Sequence, residues 1–321
     1  MAHANRQAGR VTQFHEGLVS EPPSSSFRIS AVQRLSRSMN ASNDHRTRFG
    51  VDDEGEGEPV ILLHSACSSR RQWRRLKEEL IGRYRVLALD LLGYGDTGFP
   101  AVAEYFHLEQ EIALVEHLMR RIDGPFHIVG HSYGAVIGMQ TALRHSGRVR
   151  SLCGYEPVAF GLLRRAGFQE EWNAIARLGE AVRRDIEAGE NEKAAARFID
   201  YWGGTGAWSS TPDRARPYLL RSIEKVALEF GAVLAMDEPL SAYAGLAVPV
   251  LLIAGTTGPL PARRVTELLG RAFGEEKLRV IPWGGTHGAD HPARQGESAH
   301  HRAFGGSPDL LILFFGADSC L

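Results

Sequence analysis

Apolar residues in this chain gather in short unbroken runs, separated by longer stretches where they recur every third or fourth position. The runs at 58–64, 85–90, 126–131, 149–155, 248–254 and 278–281 predict strands. A run that is apolar at successive positions marks a strand covered on both faces. The stretches at 68–81, 104–122 and 135–145 read as helices, and in the second Ile112, Val115, Leu118 and Met119 fall at helical spacing. Strands alternating with helices require a parallel sheet joined by crossovers. The predicted fold class is therefore α/β: a mostly parallel central sheet with helices on both faces. No internal repeat is visible.

Residues 160–243 break this rhythm. They are helical in character and punctuated by Trp172, Tyr201, Trp202, Trp208 and Tyr218, with loop residues at Gly203-Gly204-Thr205-Gly206. An insertion between two sheet strands sits at their carboxyl ends, where open α/β sheets bind ligands. The predicted organisation is a core over 39–159 and 244–285 with a helical cap over 160–243. Trp202 and Trp208 are candidate substrate contacts, and packing of the cap on the core is the equal alternative for each.

Both ends differ from this pattern. Residues 1–38 are Ser- and Arg-rich, lack periodicity and read as a disordered extension. Arg28, Arg34 and Arg37 among serines fit an organelle transit peptide, while a true start at Met39 is the preferred reading. Residues 286–321 are His-, Gly- and Ala-rich where a closing amphipathic helix is expected, and include the aggregation-prone Leu310-Leu311-Ile312-Leu313-Phe314-Phe315. Reading the codons permitted for Thr286 onward one nucleotide later allows His-Met-Gly-Pro, and further on Leu-Ile-Ile-Glu-Leu. The tail thus carries the mark expected of a frameshift.

Composition narrows the function. The chain has 321 residues, 43% hydrophobic and 23% charged, with a net charge of −1, so it lacks the basic footprint of a nucleic-acid or anionic-membrane binder. No apolar run approaches the roughly 18 residues of a membrane span. Three scattered cysteines (Cys67, Cys153, Cys320) suit neither a disulfide framework nor a zinc site, and make a reducing cytoplasm the expected location. No metal or cofactor motif appears. A small-molecule substrate is the expected partner, and homo-oligomerisation is left open.

The most informative stretch is Gly130-His131-Ser132-Tyr133-Gly134, between a predicted strand and a predicted helix. Gly-x-Ser-x-Gly in that setting is the pattern of a nucleophile elbow, a turn too sharp for side chains at its flanks. Ser132 is the candidate nucleophile.

Four motifs in order then resemble the α/β-hydrolase superfamily over about 49–285. They are His64-Ser65-Ala66 with Trp73, Asp90-Leu91-Leu92-Gly93-Tyr94-Gly95, the elbow, and Trp283-Gly284-Gly285-Thr286-His287. The resemblance implies the α/β-hydrolase fold and a serine hydrolase. His287 would be the base, with the N–H groups of Ala66 and Tyr133 forming the oxyanion hole. Ser65 replaces the usual Gly of its turn and is a candidate substrate contact.

Family members usually carry the triad acid after the strand at 248–254, but that loop, Gly255-Thr256-Thr257-Gly258, has no carboxylate. Some relatives take the acid one strand earlier, and here that residue is Glu156, with Asp237 and Asp96 as outsiders. His131 is expected to be a packed, hydrogen-bonded residue and His64 to support the oxyanion turn, and His291 is a second imidazole near the base loop. The implied activity is hydrolysis of a small apolar ester or lactone. Carbon–carbon bond hydrolysis of ring-cleavage products and a non-catalytic ligand binder are the alternatives. Dehalogenase and epoxide-hydrolase chemistry is disfavoured, because those relatives attack with Asp. Resequencing the gene around Gly285 tests the tail: an unambiguous in-frame reading shared by an independent isolate rules the frameshift out.

Overall fold

The computed structural model describes residues 49–99, 106–256 and 258–281. Seven strands form one sheet: β1 (Val51–Glu54), β2 (Glu58–Leu63), β3 (Tyr84–Leu89), β4 (Phe126–His131), β5 (Val149–Tyr155), β6 (Val250–Gly255) and β7 (Leu278–Ile281). Their spatial order is β1-β3-β2-β4-β5-β6-β7. Among the described residues only β1 runs antiparallel, against β3, and every other pairing is parallel. This is the mostly parallel architecture expected from the sequence, enlarged by β1. Val51-Asp52-Asp53-Glu54 carries too little apolar character to announce itself, because an edge strand need not bury both faces.

Alternation within the continuous apolar runs explains the two cores. Ile61, Leu63, Leu87 and Leu89 join the larger core, while Val60, Leu62, Val86 and Ala88 join the smaller one beneath the opposite face. Successive side chains on a strand point to opposite faces, so both must be apolar when helices cover both. The smaller core is closed by a 3-10 turn at Arg70–Trp73 and α1 (Arg74–Leu80), through Trp73, Leu76 and Leu80. The sequence predicts one helix over 68–81; the chain instead turns first and becomes helical at Arg74. The larger core is closed by α2 (Leu108–Met119), α3 (Tyr133–Arg144) and α9 (Leu260–Phe273). Five helices stand between β5 and β6: α4 (Gly161–Arg165), α5 (Gln169–Glu187), α6 (Asn191–Gly203), α7 (Arg216–Leu234) and α8 (Leu240–Ala244).

One buried charge organises the end of β3. Asp90 has no solvent exposure. It accepts hydrogen bonds from the backbone N–H groups of Arg70 (2.6 Å) and Asp96 (2.8 Å) and pairs with the Arg70 guanidinium. Arg70 also reaches Asp52 and Asp96. Burial opposes the charge on Arg70, yet the surrounding carboxylates outweigh it and raise the guanidinium pKa. A buried charge stripped of its partner is costly. Arg70→Ala is expected to lower stability by about 3 kcal/mol, read as a shift in the urea midpoint without a change in slope.

Candidate active site

The strand order fixes where a ligand can enter. From β2 the chain crosses to β3 on one side, then returns past β2 to β4 on the other. The carboxyl ends of β2 and β4 therefore flank a topological switch point, the crevice of open α/β sheets. Leu63 at the end of β2 is paired with Gly130 of β4, and His131 with Tyr155 of β5. Three turns leave the sheet side by side at this edge. Among the described residues, the non-glycines with positive φ number three, one in each turn: Cys67 (52°), Ser132 (54°) and Glu156 (45°). Such conformations cost about 1–3 kcal/mol each and gather where function requires them.

Ser132 is half-buried and caps α3. Its N–H donates to the carbonyl of Tyr155 at 2.8 Å, and its own carbonyl accepts from Ala135. The glycines on either side are dictated by space. A Cβ on Gly134 would lie 2.3 Å from the Leu63 carbonyl oxygen, and one on Gly130 would lie 2.5 Å from the Gly134 oxygen. Helix α3 thus begins against the backbone of β2, directly before the Ala66 turn. Tyr133 opens α3, so its N–H belongs to the first turn, where backbone donors lack partners within the helix.

Glu156 follows β5. Its N–H donates to Ile253, and its carboxylate accepts from the Gly255 N–H at 2.9 Å. Burial raises its pKa, and the Gly255 bond pulls partly back. A Cβ on Gly258 would approach its Oε1 to 3.6 Å. Gly258, in the loop after β6, and the Glu156 carboxylate thus lie side by side. Asp96 is instead engaged by Arg70, and Asp237 by Arg164 and Arg165. His287 and His291 lie outside the described residues, as do 1–48 and 282–321.

The other predicted residues divide. Ala66 is buried in the turn after β2, beside the strained Cys67. Ser65 is fully buried, with its N–H (3.1 Å) and hydroxyl (3.0 Å) both donating to Gln72 Oε1. That hydroxyl is committed to Gln72. Gln72 Nε2 reaches His131 Nδ1 at 3.0 Å, so one side chain braces both turns. Sequence reading missed Gln72 because nothing local marks it. Trp202 packs on Phe160, Phe198 and Tyr201. Trp208 is buried beneath the Arg216 guanidinium, with its backbone N–H donating to Asp200. No cluster of metal ligands occurs among the described residues. No helix among them is long and apolar enough to cross a membrane.

A parallel sheet with strained turns at its switch point defines the class of protein. The chain belongs to the Alpha/beta hydrolase family, whose sequence profile matches residues 60–300. It is 34% identical over 107 residues to a haloalkane dehalogenase of Agrobacterium fabrum (strain C58), covering 33% of this chain and 34% of that protein. It is 29% identical over 164 residues to a 2-hydroxymuconate semialdehyde hydrolase of Pseudomonas sp. (strain CF600), covering 47% and 56%. The matches thus span between about a third and just over half the length of these curated relatives. Among solved structures, the enol-lactonase from Burkholderia xenovorans LB400 superposes with a TM-score of 0.58 at 19% identity, covering 86% of this chain and 99% of that one.

His64 supports the turn after β2 in a defined protonation state. The Leu91 N–H donates to Nε2 at 3.0 Å, so the proton sits on Nδ1, which donates to the Ser65 carbonyl at 2.8 Å. Burial pushes the pKa down to about 4. An unfolded histidine protonates near 6.5 and the folded one does not, so this group costs stability as pH falls from 6.5 towards 4. About 3 kcal/mol more acid destabilisation is expected in the wild type than in His64→Gln, measured by urea unfolding across that range.

Proposed function

We propose that this protein is a serine hydrolase that cleaves a small apolar ester or lactone through an acyl-enzyme. The observation that carries the reading is the strained Ser132 at the sheet's switch point, with the Glu156 carboxylate on the adjoining strand end. A serine hydroxyl needs a base, and His287 is assigned that role. His287 takes the Ser132 proton as Oγ bonds to the acyl carbon. The resulting oxyanion is held by the N–H groups of Ala66 and Tyr133, each worth roughly 3 kcal/mol or more. His287 then returns the proton to the leaving alkoxide, and water repeats the sequence to release the acid and restore Ser132.

Glu156 orients His287 and balances the imidazolium. Its proximity to Gly258 supports an acid that has moved from one strand end to its neighbour. Residues 160–243 act as a cap, with Trp202 on the substrate side and Trp208 holding the cap together. Buried free thiols at Cys67 and Cys153 support a reducing, cytoplasmic setting. Carbon–carbon bond hydrolysis is the second reading. It is favoured by the relatives named 2-hydroxymuconate semialdehyde hydrolase and 2-hydroxy-6-oxo-6-(2'-aminophenyl)hexa-2,4-dienoic acid hydrolase. Serine at position 132 argues against the activity of the relatives named haloalkane dehalogenase.

A fluorophosphonate is expected to add once to the wild-type protein and not to Ser132→Ala, read by intact mass. A folded wild type that stays unlabelled overturns the reading. Glu156→Gln is expected to cut kcat on a p-nitrophenyl ester by about 10³-fold or more, because an amide cannot balance the imidazolium. Glu156→Gly/Gly258→Asp is expected to recover at least about tenfold of the activity lost in Glu156→Gly, by returning a carboxylate to the same place.

A further inference from the structure

Helix α7 of the inserted segment presents an unusual face to the sheet domain. Tyr218, Ser222, Lys225 and Glu229 recur at intervals of four, three and four, which aligns them on one side of a helix. A core-facing stripe is normally apolar. Here Ser222, Lys225 and Glu229 are all buried, and Lys225 has no exposure.

The partners of this stripe come from the turn after β2, the loop after β3, helix α2 and the start of α3. Tyr218 donates its hydroxyl to the Ser68 carbonyl, at the end of the turn containing Ala66 and Cys67. Lys225 Nζ donates to Glu111 Oε1 on α2 at 2.8 Å and to Glu229 Oε1 at 2.9 Å. Glu111 also accepts from the Leu92 N–H, in the loop after β3. Around the ammonium stand three rings: Phe106 at 4.2 Å, Tyr133 at 4.9 Å and Tyr94 at 5.3 Å from their centroids. Tyr133 directly follows Ser132. Tyr94 in turn packs edge-on against His64, which opens the turn carrying Ala66, with ring centroids 5.3 Å apart.

As a stability device this arrangement is poor. One ammonium and two carboxylates are taken from water, and apolar groups of the same volume often serve a fold better. Its merit is directional. A cation held by two carboxylates and three ring faces fixes the spacing of whatever carries those rings. Burial lifts Glu229 to about 7 despite Lys225, so the cluster is not simply an ion pair parked out of solvent.

We infer that Lys225 is a positioning residue which, from the cap, sets the distance between the turn bearing Ala66 and the start of α3 bearing Tyr133. The inference rests on the reading of Ser132 as nucleophile. Lys225 touches no substrate; it acts through the Tyr133 ring and, by way of the Tyr94 ring, through His64 at the start of the Ala66 turn. A misplacement near 1 Å in such donors is costly to rate.

The test uses the full chain and Glu111→Gln/Lys225→Met/Glu229→Gln, which removes every charge of the cluster and strands none. This triple variant is expected to fold with a similar thermal midpoint. Its kcat on p-nitrophenyl acetate is expected to fall at least about tenfold, with KM changed less than about twofold. Amide exchange in peptides covering 64–68 and 131–135 is expected to accelerate about tenfold, with the sheet unaffected. A folded triple variant with wild-type kcat overturns the inference, whatever its exchange. If the triple variant does not fold, Glu229→Gln takes its place, since it leaves Lys225 paired with Glu111. A kcat reduced about threefold at unchanged KM is then expected, and a wild-type kcat overturns the inference. Should the wild type resist fluorophosphonate, the serine reading falls by itself. The brace is then judged on exchange alone: unchanged protection at both turns overturns it.

Discussion

How closely helix α3 can approach the end of β2 governs the site. Gly134 lies against the carbonyls of Leu63 and His64, where a single extra carbon would be 2.3 Å from the first oxygen. That contact brings the first backbone donor of α3 next to the turn carrying Ala66. It also sets Ser132 where its N–H can bond the end of β5, which in turn aligns Glu156. Three strand ends are thereby locked to one another by backbone atoms before any catalytic side chain is considered. The strain stored at Cys67, Ser132 and Glu156 persists because each is held by this frame.

Side chains secure the frame from beneath and from the flank. Gln72 joins the Ser65 turn to His131, and neutral His64 ties the same turn to the end of β3. The Asp90 network fixes the loop that follows. Neutral hydrogen bonds and buried charges serve different ends here. The former hold backbone geometry at small cost, while the latter tie together segments far apart in the chain.

Much of this was legible in the sequence, for physical reasons. Strands covered on both faces must be apolar at successive positions, so β2 through β7 stand out. The strand predicted at 248–254 begins later, after Pro249, because proline cannot donate to the ladder. Strand β1 escaped notice, since Asp52, Asp53 and Glu54 satisfy an edge position through Arg70, Lys77 and Arg85 rather than by burial. Ser132 was legible because steric demand forces glycine on both sides of it. Glu156 was legible only against a family pattern, as a carboxylate standing near a place that lacked one. Gln72 and the α7 stripe were not legible. Lys225 meets Glu111 across 114 positions of sequence, and no local periodicity encodes a contact made by topology.

The polar seam between α7 and the sheet domain bears on modularity. The inserted segment between β5 and β6 is not an exchangeable cover laid over a constant base. In this chain the base itself carries half of the lock: Glu111 lies buried on α2 and expects a cation from above. A cover borrowed from a protein lacking that cation would leave a carboxylate facing hydrocarbon. The segment and its base are therefore expected to have diversified as a unit, and a chimera between them must exchange both sides of the seam together.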